Sequence, residues 1–137
     1  MIKEIVKDNF ILAQKSTDAS NDDLYIVDDL IDTIQENKER CVGMAANMIG
    51  YLKNIIIFQE NNAYTVMINP HIIQTSKETY QTKEGCLSHD GQKDVVRYQK
   101  IKIEYLDIDM KKRIKTYSDY TAQIIQHEID HCNGILI

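Results

Sequence analysis

Near its C-terminus the chain reads QHEIDHCNGILI, with His127 and His131 four residues apart and Glu128 between them. On an α-helix, positions i and i+4 share a face, so two imidazoles at this spacing can grip one ion. Glu128 falls one step further round, beside such an ion without being bound to it. From there its carboxylate can take a proton from water and pass it to a leaving group. The pattern points to metal-assisted hydrolysis of an acyl bond, which needs three protein ligands and one open position. The bland alternative is a surface helix carrying two solvated histidines.

A third ligand is available in EGCLSHDG, residues 84–91. Cys86 follows a glycine that allows close backbone approach, and a thiolate is stabilised beside a cation. Rivals exist. His89 lies three residues on. Cys132 follows His131 directly, but on a helix it points about 100° away. His71, after Pro70, reads as a surface residue. Local geometry favours Cys86, while spacing alone leaves the choice open.

Other elements must carry these residues. Leu24, Val27, Leu30, Ile31 and Ile34 recur at helical spacing, with Ser20 or Asn21 as N-cap, and predict a helix over 21–40. CVGMAANMIGY, from Cys41, reads as a loop or turn. Strands are expected over 54–59 and 63–69, joined by a turn at Asn61-Asn62, with Pro70 ending the second. Residues 71–82 read as a further strand and its exit. The clearest alternation lies in 95–109, where Ile101, Ile103 and Tyr105 face one way and Lys102 and Glu104 the other. After a turn at 109–113 a partner strand returns. A helix from about Ser118 carries Ala122, Ile125 and Ile129 on one stripe, flanked by Ile124, and stops at Asn133-Gly134. The first twenty residues show no clear period and are expected to wrap the surface or add an edge strand. The sum is an α+β domain over residues 1–137. Mostly antiparallel strands surround a C-terminal HExxH helix, with a second helix near the N-terminus.

Composition narrows the class. Charged residues make up 27% of the 137, apolar residues 43%, and the formal net charge is −5. That is ordinary for a globular protein and argues against a nucleic-acid backbone as partner. No segment reaches the roughly 18 apolar residues of a membrane span, and the N-terminus lacks a signal-peptide pattern, so the expected location is cytoplasmic. There the three cysteines stay reduced, and Cys41 reads as a small packed residue. The acidic run DASNDD reads as a helix start, because it lacks calcium-loop spacing. Arg97 is expected to pair with Glu84 in a structural salt bridge.

Taken together, EGCLS and QHEIDHCNGIL resemble the peptide deformylases, and CVGMAANMIG resembles a third motif of that family. The likeness runs from the first helix to the end and includes MINP and VVRY. It implies an α+β fold and removal of the formyl group from N-formylmethionyl peptides of nascent chains. It also implies one divalent metal ion, iron(II) natively, with zinc or nickel tolerated. Carried over by motif, Cys86, His127 and His131 are ligands, and Glu128 is the general acid–base. The Leu87 backbone N–H helps bind the oxyanion. Gly43 belongs to the substrate-binding loop, and Val42 and Ile124 border the methionine pocket.

Two departures matter. Cys41 stands where the family has glycine, and Met48 stands where it has a glutamine that donates to the oxyanion. Methionine has no donor, and loss of one such donor typically costs about 10²–10³ in kcat. Asn47, one residue earlier, could offer its own amide instead. The family's basic N-terminal signature and C-terminal extension are also not found. This is expected to open the pocket or expose an apolar patch for a partner, leaving monomer and homodimer both open. The expected function is a metal-dependent deformylase, slowed if nothing replaces the missing donor. The alternative is an impaired deformylase-like protein that binds metal and peptide or regulates. A pure binder has no need of Glu128, which favours hydrolysis. Hydrolysis of another acyl substrate is a third reading, and a zinc endopeptidase a weaker one.

Overall fold

A computed structural model describes residues 1–137. The segment Ile55–Phe58 is four apolar residues in a row, too few for a helix and rich in β-branching. It forms most of strand β2 (Ile55–Glu60), and all four side chains are fully buried. Both faces of β2 are therefore covered. It sits second in an antiparallel five-stranded sheet ordered β1-β2-β3-β6-β7. The other members are β1 (Gly43–Ala45), β3 (Ala63–Thr75), β6 (Lys100–Leu106) and β7 (Lys112–Ser118). A tight turn joins β2 to β3, with Asn61 and Asn62 both at positive φ, 49° and 67°. Asparagine tolerates that region, which is why the pair makes a two-residue hairpin turn.

Three helices complete the frame: α1 (Asn9–Leu12), α2 (Tyr25–Glu36) and α3 (Asp119–Cys132). Helix α2 buries Leu30 and Ile34, and α3 buries Ala122 and Ile125. Both helices pack on β1 and β2. No helix is long and apolar enough to cross a membrane. The architecture is α+β, as expected, with the HExxH helix at its C-terminal end.

A separate hairpin, β4 (Thr79–Cys86) and β5 (His89–Tyr98), stands apart from the large sheet. It has little apolar surface to bury. Polar groups attach it to α3 instead. The Tyr98 N–H donates to Gln126 Oε1 at 2.9 Å, and Gln126 Nε2 returns a bond to Tyr98 O at 2.9 Å. Arg97 reaches Glu84 at 2.7 and 3.0 Å and Asp130 at 2.5 Å. The expected Arg97–Glu84 pair is thus present, extended by Asp130.

Several local expectations need correction. Residues 41–51 are not simply a loop. Gly43–Ala45 pairs with β2, and 46–49 form a 3-10 turn. Pro70 does not end β3. The pairing of β3 with β6 shifts register between Ile68 and His71, and Asn69 takes a φ of 52°. Proline lacks an N–H, and a bulge is where the ladder can spare one. Asn69 also exchanges two hydrogen bonds with Ala19, at 2.8 and 3.0 Å. The expected strand over 95–109 is two strands, broken at Gln99. The first twenty residues wrap the surface, making a short helix, backbone bonds from Val6 N–H to Met48 O and from Ser16 N–H to Cys132 O, both at 2.8 Å, and a bridge from Thr17 to Lys53.

Candidate metal centre

Helix α3 presents His127 and His131 on one face, with their Nε2 atoms 3.2 Å apart. The end of β4 brings Cys86 Sγ to 3.3 Å from His131 Nε2. The three donor atoms all lie within 4.8 Å of one another. A tetrahedral ion with bonds of about 2.0–2.3 Å places neighbouring donors about 3.3–3.6 Å apart. The donor set fits such an ion, and sulfur with two imidazoles suits iron, zinc or nickel.

The surroundings aim these donors. Glu84 Oε1 accepts from His127 Nδ1 at 2.7 Å. With one proton held at Nδ1, Nε2 is the ring nitrogen that faces the site; burial works against a charge on His127, but hydrogen bonds with Cys86 and Glu84 outweigh it and raise it to about 10. Burial works against ionisation of Glu84, but hydrogen bonds from His127, Arg97 and Gln123 outweigh it and hold its carboxyl down to about 2. Burial and the neighbouring His127 push His131 down to about 3, so its imidazole is neutral. At the end of α3, Asn47 Nδ2 donates to His131 O at 2.9 Å. The Asn47 amide is therefore turned to the helix end, and Asn47 does not line the cavity.

Glu128 lines the same cavity, whose volume is about 210 Å³. It is not one of the convergent donors. It is 4% exposed and its Oε1 has no hydrogen-bond partner. Burial pushes its carboxyl up to about 7. Gly43 is pressed against it. A Cβ at that position would lie 2.8 Å from Glu128 Oε2 and 2.7 Å from Ile124 Cγ2. Val42, Met48, Leu87 and Ile124 also line the cavity. The Leu87 N–H donates to no backbone carbonyl. Met48 is buried, and its sulfur lies 3.4 Å from the Ala45 N–H, where it can accept a weak bond.

The rival ligands fall away from the centre. His89 Nδ1 turns to the backbone oxygen of Asp90 at 3.2 Å, and His71 is exposed. Burial raises the thiols of Cys41 and Cys132 to about 12. Cys41 Sγ donates to Gly43 O at 2.9 Å, which makes it a packed, protonated residue. Sequence reasoning missed the Glu84 contact to His127 and the grip of Asn47 on α3. The first carried a signal, since Glu84 opens the cysteine motif.

Comparison with known proteins points to one family. The family model described as polypeptide deformylase matches residues 2–137. A peptide deformylase of Clostridium beijerinckii is 49% identical over 137 residues, covering 100% of both chains. One from Brachyspira hyodysenteriae is 37% identical over 133 residues, covering 90% of this chain and 70% of the relative. Among solved structures, the class I type b peptide deformylase of Acinetobacter baumannii with Met-Ala-Ser bound superposes with a TM-score of 0.90. It is 29% identical, with 99% of this chain and 97% of that one covered. These likenesses support an enzyme and do not favour the impaired binder. The chain belongs to the polypeptide deformylase family.

Proposed function

We propose that the chain removes the formyl group from N-formylmethionyl peptides, with Cys86, His127 and His131 holding one divalent ion, iron(II) before zinc or nickel. When bound, the ion polarises the formyl carbonyl and lowers the pKa of water. The remaining work belongs to the protein. Glu84 keeps the proton at His127 Nδ1. Val42 and Ile124 orient the methionine side chain, an apolar fit that fixes the reacting carbonyl. The Leu87 N–H donates to the oxyanion that develops. Glu128 takes a proton from the attacking water and delivers it to the departing amine, and formate leaves. A carboxyl near 7 suits both halves of that transfer at neutral pH.

The observation that carries this reading is the buried Glu128 carboxylate, with one free oxygen, in the cavity where sulfur and two nitrogens converge. Nascent chains as substrate support a cytoplasmic location. Monomer and homodimer both suit the site, because every residue of it comes from one chain. The test is formate release from formyl-Met-Ala-Ser by iron-loaded protein under anaerobic conditions. Glu128→Ala should abolish release while iron content stays the same. Metal-replete protein that releases no formate refutes the proposal.

A further inference from the structure

The cavity lies between residues 40–43 and 83–87, over α3, and its mouth carries charge that the proposed chemistry does not use. Arg40 and Lys83 both line it, and both are exposed. Lys83 already pairs with Asp94 at 2.9 Å. Arg40 meets no carboxylate. Its one side-chain hydrogen bond runs from Nη2 to the neutral Asn37 amide oxygen at 3.2 Å. The carboxylates of the lining, Glu84 and Glu128, are buried below, and Glu84 is already shared between His127 and Arg97.

A second groove, about 580 Å³, adjoins the first and shares Arg40 and Leu87 with it. Its other lining comes from residues 4–8, where Glu4, Lys7 and Asp8 carry both signs. A formyl peptide held by its methionine must leave through the mouth, and the adjoining groove offers it a path past Arg40. An extended chain advances about 3.3 Å per residue, so the second or third residue reaches the mouth.

We propose that Arg40 is a specificity-determining residue that selects formyl peptides carrying a carboxylate side chain at the second or third position. The inference rests on the deformylase reading above. A guanidinium can take a carboxylate with two parallel hydrogen bonds, and Arg40 is in no ion pair with the Glu4 and Asp8 that line the same groove. At an exposed mouth the gain is modest, about two- to fivefold in kcat/KM, and salt weakens it.

The test uses formyl-Met-Xaa-Ser and formyl-Met-Ala-Xaa peptides with amidated C-termini, so that no terminal carboxylate competes. Xaa is Asp, Asn or Lys. The expected order of kcat/KM is Asp above Asn above Lys at one of the two positions, compressed at high salt. In Arg40→Gln the Asp-to-Asn ratio should fall to about one, and in Arg40→Glu it should invert. Turnover without a charge order, or an order unchanged in Arg40→Gln, overturns the inference alone. No turnover of any peptide overturns the deformylase reading and the inference with it.

Discussion

Replacing Gly43 with alanine should separate the proton transfer from metal binding. The new Cβ would stand 2.7 Å from Ile124 Cγ2, 2.8 Å from Glu128 Oε2 and 3.3 Å from Glu128 Cδ. Ordinary contacts lie at about 3.5–4.0 Å, so both side chains must withdraw by roughly 0.7 Å or more. Little else can yield. Gly43 is in register with Phe58 across the β1–β2 ladder, and the other two residues of β1, Met44 and Ala45, are buried. Helix α3 is held by Asn47 at His131 O and by Arg97 at Asp130. Overpacking of this kind costs about 1–3 kcal/mol of stability, and a displacement near 1 Å can cost about 10² in rate. Gly43→Ala should therefore lower kcat on formyl-Met-Ala-Ser by about a hundredfold, with a melting temperature a few degrees lower. Iron content should stay at that of the unaltered protein, because the clash touches no proposed ligand. Steady-state kinetics, elemental analysis and a thermal melt decide the matter. A kcat within threefold of the parent, in folded protein, would refute the claim that this glycine exists to admit Glu128.

Three further variants test other contacts. Met48→Gln should raise kcat by about tenfold or more by restoring an oxyanion donor; an unchanged or lower rate would show that the loop is built around another device. Glu84→Gln should weaken metal retention about 10- to 100-fold in a chelator competition, since it loosens His127. The same variant bears on acid stability. The folded Glu84 carboxyl is held down to about 2, below its ordinary 4.5, so its contribution is complete above 4.5 and fades as pH falls toward 2. Metal-free Glu84→Gln should show a flatter acid limb in melting temperature against pH, on top of a general loss of about 3–5 kcal/mol from the broken buried pair. Asn47→Ala should cost about 0.5–1.5 kcal/mol in a denaturant titration, because it removes one buried bond to the His131 carbonyl, which keeps the Gly134 N–H.

Which parts were legible in the sequence depends on how local their physics is. Helix α3 could be read because its period, its start at Ser118 and its stop at Asn133-Gly134 lie within one stretch. The alternation of Ile101, Ile103 and Tyr105 could be read because β6 has one covered face, and all three are buried. Strand β1 could not. It is three residues long, buried throughout, and exists only through pairing with β2. The hairpin β4–β5 was obscured because the face that β4 turns inward is mostly polar, so the covering of Thr82 and Glu84 leaves no hydrophobic alternation in the sequence. For the site, motif likeness singled out the sulfur, the histidines and Glu128, but not their relative placement. Asn47 looked like a spare donor for the oxyanion, and only the folded chain shows it bound to a helix end 84 residues away.

The polar attachment of the β4–β5 hairpin bears on durability. Cys86 rides on a ribbon fastened by ion pairs and amides, whereas both histidines ride on a helix seated in the apolar interior. A cation shared among them would act as a rivet between a firm part and a looser one. Loss of the ion should let the ribbon lift while the sheet stays whole, so amide exchange in residues 79–98 should report metal occupancy long before the rest of the chain responds.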